Sequence, residues 1–234
     1  MKHIIAPLIT NQPTVKASDI NDIFNRNALP WHDLQCCNWP DAFPYTPAVR
    51  FRLAHTGSSL LLQFAVSELT VRATERNGGK VWEDSCCETF ISFNTQDYYN
   101  LECNACGSFL IKYGPDRSQR MLPPERVFSL IDTWSSLGSD AFNETTAPAE
   151  WQLALAVPVE AFFGDNISSL SGIKARINFY KCGDCLANCH FLSWAPVTSP
   201  APDFHRPQDF GAIEFAELPL HIAHIQTKMR NLAQ

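Results

Sequence analysis

No apolar run in this 234-residue chain approaches the roughly 18 residues that a membrane-crossing helix needs, so a helical span is excluded. There is no run of lysine or arginine, and the net charge is −6. Nucleic acid and anionic membrane surfaces are therefore poor partners. Charged residues make up only 18% while hydrophobic ones reach 45%, which fits a folded globule and not a disordered polymer. Methionine is scarce, with three in all. A methionine-ligated haem would have to use Met121 or Met229 against a histidine such as His190 or His205. Gly-x-Ser-x-Gly, phosphate-loop and His-Glu-x-x-His patterns are missing, so no catalytic residue is assigned.

The N-terminal ten residues carry one lysine and a short apolar run broken by Pro7. This falls short of the roughly 7–15 apolar residues of a secretory signal. The expectation is a cytoplasmic protein, or an extracytoplasmic one if the chain is the trimmed part of a longer precursor. The nine cysteines favour the first: they are odd in number and include the adjacent pairs Cys36-Cys37 and Cys86-Cys87. A secreted disulfide framework usually has an even count in a short chain.

What the chain does have is alternation. In 87–94, Cys87, Thr89, Ile91 and Phe93 face one way, and Glu88, Phe90, Ser92 and Asn94 the other. A polar turn at 95–97 leads to a second alternating strand, 98–104. Period-two patterning marks antiparallel strands with two different faces. One face joins a core; the other carries Glu88, Asn104 and Glu102 towards a ligand. Trp82 precedes the first strand. Further strands are expected at 49–55 and 59–66 around a His-Thr-Gly-Ser turn, and at 69–74, 108–113, 151–157, 174–181 and 211–215. A short helix is expected over 17–27, with Ser18 as N-cap and Ile20, Ile23 and Phe24 on one face. One helical turn is expected at 158–163, and a terminal helix over 218–231. Residues 1–16 read as an extended arm. Ten or so short strands, almost no helix and no dividing linker predict one all-β domain over 1–234, an antiparallel β-sandwich with one or two short helices and its core at about 45–216.

Three segments together carry a resemblance: Val-Trp-Glu-Asp-Ser-Cys-Cys-Glu-Thr-Phe-Ile (81–91), Asn-Phe-Tyr-Lys-Cys-Gly-Asp (178–184), and Phe-Leu-Ser-Trp-Ala-Pro followed by Pro-Asp-Phe-His-Arg-Pro-Gln-Asp-Phe-Gly-Ala-Ile-Glu-Phe (191–215). They resemble family 9 carbohydrate-binding modules and their relatives with a jelly-roll-like, DOMON-like sandwich. The resemblance implies non-catalytic binding of a mono- or oligosaccharide on the concave sheet face. It implies that Trp82 and Trp194 sandwich the sugar, that Glu88 accepts hydroxyl hydrogen bonds, and that Asn104 assists. A pyranose has an apolar C–H face and a polar rim, which suits aromatic plates with acceptors at the edge. Calcium is implied by the family, although no local Asp/Asn-rich loop marks its site. Trp31, Trp39, Trp134 and Trp151 read as structural.

Two alternatives come from other classes. A haem-binding redox domain would use the methionines and histidines named above. A zinc site could draw on Cys103-x-x-Cys106 and Cys182-x-x-Cys185-x-x-x-Cys189-His190, which have metal-ligand spacing, with Cys103, Cys106, Cys182 and Cys185 as the four ligands. The competing reading makes these cysteines small core residues. For Glu88 the competing reading is an ion pair with Arg72 or Arg176, and for His205 a hydrogen bond that fixes its loop.

Overall fold

The computed structural model describes residues 1–12 and 14–219. In chain order the strands are β1 (His3–Leu8), β2 (His32–Asp33), β3 (Cys36–Cys37), β4 (Ala48–His55), β5 (Ser59–Glu68), β6 (Cys86–Ser92), β7 (Tyr98–Asn104), β8 (Phe109–Gly114), β9 (Asp132–Ser135), β10 (Ala149–Pro158), β11 (Lys174–Cys182), β12 (Phe191–Ser193) and β13 (Gly211–Pro219). Two short helices accompany them, α1 (Ile20–Arg26) and α2 (Arg126–Leu130). The hydrogen-bonded path runs β8-β7-β6-β11-β13-β1-β4-β5-β10-β9. Its two ends share one core. Tyr99, Leu101 and Ile111 from β7 and β8 belong to the same buried cluster as Phe64, Trp151 and Leu153 from β5 and β10. Strands so distant on the path can share a core only if the sheet folds over on itself, which is the β-sandwich that the alternation predicts.

Most pairings are antiparallel, but β1 runs parallel to both β13 and β4. Within the stretch expected to be an extended arm, His3–Leu8 is thus the strand that joins the two halves. Ile4 and Ala6 of β1 are buried in the core. The expected strand at 69–74 is reduced to one bridge, Ala73 with Phe142. Asp84 holds that loop instead, accepting from the Thr74 and Glu75 amides at 2.9 and 2.8 Å. In α1 the expected apolar face is present, with Ile20, Ile23 and Phe24 buried, but Ser18 does not cap it; Asp19 stands at the N-cap without a side-chain capping bond. The turn at 158–163 is a short 3₁₀ turn, Val159–Ala161. Of the helix expected over 218–231, residues 218 and 219 belong to β13 and the rest lies outside the described residues.

Alternation on β6, β7, β8 and β11 separates two faces. Cys87, Ile91, Leu101, Cys103, Phe109, Ile177 and Phe179 enter the central core. Cys86, Phe90, Tyr98, Leu110, Tyr180 and Cys182 form a second apolar cluster on the opposite face, roofed by Trp39, Phe204 and Phe210 from the long loops. Next to this second cluster lies the candidate site.

Candidate functional site

The residues that precede β6 set the rim. Val81–Glu83 form a 3₁₀ turn whose Val81 is buried, which leaves Trp82 half-buried beside the sheet. The adjoining Asp84 is fully buried. It pairs with Arg72 at 3.2 Å and accepts from the Asn104 side-chain amide at 2.9 Å. Asn104 also donates to the Glu75 carbonyl and accepts from the Ser108 amide. Its amide is thus committed to fastening the Trp82 loop and does not line the cavity. The sequence expectation that Asn104 orients a ligand is corrected accordingly.

The cavity has a volume of about 340 Å³. Its floor is β6 and β7, which contribute Glu88, Phe90, Asn100 and Glu102; its walls include Trp82, Phe191, Phe204 and His205. Trp194 is not among them. It is 5% exposed and lies edge-on to Phe51 and Phe179, with ring centroids 6.2 and 5.8 Å away. A Cβ on Gly211 would meet its indole at 2.5 Å, so the ring is seated against bare backbone. Trp82 and Trp194 therefore do not face one another across a cleft. The chain after β12 turns Trp194 into the central core, while Phe191 and Phe204 stay on the cavity side.

Glu88 and Glu102 are directly opposed in the β6–β7 register and only 3% and 4% exposed. Like charges placed so are unfavourable, and so is burying either one. Burial, and then the Glu102 charge, raise the Glu88 carboxyl well above the usual range. Burial raises Glu102 to about 7. The pair therefore holds a proton near neutrality. Glu88 accepts from the Cys182 thiol at 3.0 Å and Glu102 from the Asn100 amide at 2.7 Å. Glu102 Oε2 and Arg120 Nε are buried with no partner. Arg120 lies over the Tyr98 ring at 4.2 Å and donates to Asn100 and to the Gly114 carbonyl. Neither Arg72 nor Arg176 pairs with Glu88: Arg72 takes Asp84, and Arg176 donates to the Gln208 and Phe210 carbonyls. His205 lies over Phe90 at 5.0 Å and meets the Tyr98 hydroxyl at 2.8 Å. Burial, and then Arg120 and Arg117, push its pKa down to about 3, so the ring is neutral. Asn100 and Arg120 carried no expectation, although the period of β7 puts Asn100 on the same face as Glu102.

The cysteines divide differently from the expected zinc set. Cys103 lies in the central core, Cys106 donates to the Asn104 side chain, and Cys185 is exposed. Among the described residues, the one group of three or more close metal-ligating side chains is Cys86, Glu88 and Cys182. Two thiols do not suit calcium, so this group does not supply the oxygen cluster that the family resemblance would require. Met121 is exposed, and His190 faces Lys181 in a buried pair at 2.8 Å; Met229 lies outside the described residues.

A larger, more open groove of about 810 Å³ lies along β4, β5 and β10. Its one aromatic ring, Trp151, is buried, and its carboxylates, Asp33 and Glu150, are exposed. The smaller cavity is the better candidate, because desolvated carboxyls and accessible rings converge there.

Residues 18–215 match the model of carbohydrate-binding family 9. No curated protein matches. A candidate carbohydrate-binding protein from Bacteroides uniformis is 38% identical, with a TM-score of 0.89, and the match covers 92% of this chain and 99% of that one. A family 9 carbohydrate-binding module from Caldicellulosiruptor kristjanssonii solved with glucose is 11% identical, with a TM-score of 0.60 over 94% of this chain and 98% of its own. A structure of such a module from the same organism with cellotriose gives 11% and 0.57, over 94% and 96%. At that identity the last two show the shared fold. Among the described residues no helix is long and apolar enough to cross a membrane.

Proposed function

This chain belongs to carbohydrate-binding family 9, and from that premise we propose that it binds a sugar without turning it over, in the cavity beside Trp82. The observation that carries the reading is the pairing of a half-exposed aromatic ring, Trp82, with a buried carboxyl oxygen, Glu102 Oε2, that lacks a partner. Trp82 offers its ring to a pyranose face, with Phe191 and Phe204 as further apolar wall. Glu88, Asn100 and Glu102 meet the hydroxyl rim from the sheet floor, and Arg120 supplies a donor beside them. Strand-borne groups need little reorganisation to engage a ligand. A buried carboxyl oxygen without a partner gains a hydrogen bond when a hydroxyl arrives, so binding relieves a cost already present in the empty cavity. Cavity volume suits one or two sugar rings, which makes a mono- or oligosaccharide the ligand class. Glucose and cellotriose, the ligands of the Caldicellulosiruptor modules, are the first to try.

Calorimetric or NMR titration with glucose and cellotriose tests this. The expected result is saturable binding that weakens at least about tenfold in Trp82→Ala and in Glu102→Gln, each still folded by circular dichroism. Unchanged affinity in both variants would overturn the assignment of the cavity.

A further inference from the structure

At the floor of the cavity lies a second constellation, which shares Glu88 with the sugar reading and adds two cysteines that the reading does not use. Cys86 on β6 and Cys182 on β11 are directly opposed in the antiparallel register. Glu88 follows Cys86 by two residues on the same face. One ligand atom from each of the three lies within 4.8 Å of both others, and all three residues are buried. The Cys182 thiol already donates to Glu88 at 3.0 Å. Zinc bonds of about 2.3 Å to sulfur and 2.0–2.2 Å to oxygen bring tetrahedral ligand atoms within roughly 3–4 Å of one another, a closure within reach of side-chain rotation.

A second observation points to a cation. Glu102 faces Glu88 across the strands, is 4% exposed, and keeps a buried carboxyl oxygen without a partner. Asp184, at the same cavity, lies near the Cys182 thiol. Two thiols and up to three carboxyls thus converge on a desolvated floor. Three of the cations nearby have other partners, Arg120 in Asn100 and Gly114, Lys181 in Glu68 and Arg117 in Asp203, while Lys112 lines the same cavity and offsets part of the Glu102 charge.

We propose that Cys86, Cys182 and Glu88 bind a thiophilic divalent cation, zinc by the chemistry of its donors, with a fourth position open to the cavity. Two sulfurs and one carboxylate form a donor set suited to zinc and unsuited to calcium or magnesium. The two thiol protons leave to solvent as the metal–sulfur bonds form, any proton on Glu88 passes to Glu102 or to solvent as its carboxylate binds, and no electron is transferred. Because Glu88 and Cys182 line the cavity, the fourth position is taken by water or by a ligand oxygen. Three protein ligands plus an open position is the pattern of a reactive or ligand-binding zinc, as distinct from a closed structural one.

The test uses the full chain under reducing conditions. Zinc content is measured on protein purified without chelator, and the stripped protein is titrated with cobalt(II). About one zinc per chain is expected, together with the thiolate-to-cobalt charge-transfer absorption of a tetrahedral centre. Cys86→Ser and Cys182→Ser should each weaken cobalt binding at least tenfold and remove that absorption. Cys185→Ser should leave it intact, since Cys185 is exposed and outside the trio. Wild-type protein that takes no cobalt, or a signal lost only in Cys185→Ser, would overturn the proposal. So would a Cys86–Cys182 disulfide that, once reduced, binds no metal. The inference rests on thiol geometry and not on the sugar reading. Metal-free protein that binds glucose and never takes cobalt defeats this proposal alone, and cobalt–thiolate binding with no sugar affinity defeats the other alone.

Discussion

Glu102 is the residue whose environment has the sharpest consequences. Its carboxyl is held up at about 7, against an ordinary 4.5 in the unfolded chain, first by burial. Between those values the folded state binds more protons than the unfolded one, so stability falls as pH rises through that window. The loss amounts to up to about 3 kcal/mol. Urea denaturation from pH 4.5 to 8 should show that decline in the wild type and much less of it in Glu102→Gln; parallel profiles would refute it. The two tryptophans give a second contrast. Trp194 is packed between Phe51, Phe179 and Gly211, so Trp194→Ala should cost about 3–5 kcal/mol. Trp82 is half-buried at the cavity, so Trp82→Ala should cost markedly less stability and should act on ligand affinity instead. Denaturation midpoints and sugar titrations on the same two variants decide between these assignments.

At the scale of elements, two devices hold the halves of the sandwich together. One is β1, parallel to β13 on one side and β4 on the other. Ala6 of that strand is fully buried in the central core. Ala6→Asp would bury an unpaired charge and should prevent folding or cost more than about 3 kcal/mol, read as loss of the cooperative thermal transition. The other device is an ion pair between β5 and β11. Lys181 Nζ lies 2.8 Å from Glu68 Oε2, both at 0% side-chain exposure, and Trp151 donates to Glu68 Oε1 at 2.8 Å. Removing one partner, as in Lys181→Met, strands the Glu68 charge and should cost roughly 3–5 kcal/mol. Lys181→Met combined with Glu68→Gln should recover part of that loss, because no buried charge is left uncompensated. Chemical denaturation of the single and double variants measures the difference.

For the molecule as a whole, the buried His55 and His190 and the half-buried His205 govern its behaviour in acid. Burial first of all pulls His55 down to about 4, His205 to about 3 and His190 to about 2. Each stays neutral in the folded state while the unfolded chain takes up protons below about 6.5, so stability is lost as pH falls from there. This slope opposes that of the Glu88–Glu102 pair. The two together place the stability maximum between mildly acidic and neutral pH, with decline on both sides. Thermal unfolding followed from pH 3 to 9 should trace that dome, and a stability that keeps rising to pH 9 would contradict it.

Much of this protein was legible along the chain. Alternation in 87–94, 98–104 and 174–181 located strands β6, β7 and β11 and assigned their faces, because a pleated strand sends neighbouring side chains to opposite sides whatever surrounds it. The same rule placed Glu88 and Glu102 on one face, and the motif around Trp82 marked the cavity's rim. What alternation cannot show is which distant segments come to share a space. Trp194 and Phe204 are ten residues apart in one proline-rich loop, and only the path of that loop sends the first into the core and the second to the cavity. Asn104 sits on the correct face, yet the return of the 75–84 loop claims its amide. The Cys-x-x-Cys spacings suggested one metal set, whereas cross-strand register brought Cys86 and Cys182 together from 96 positions apart. Local pattern follows from backbone geometry, which each residue carries with it; proximity between segments follows from how a sheet folds over and buries its apolar face, a property of the packed chain.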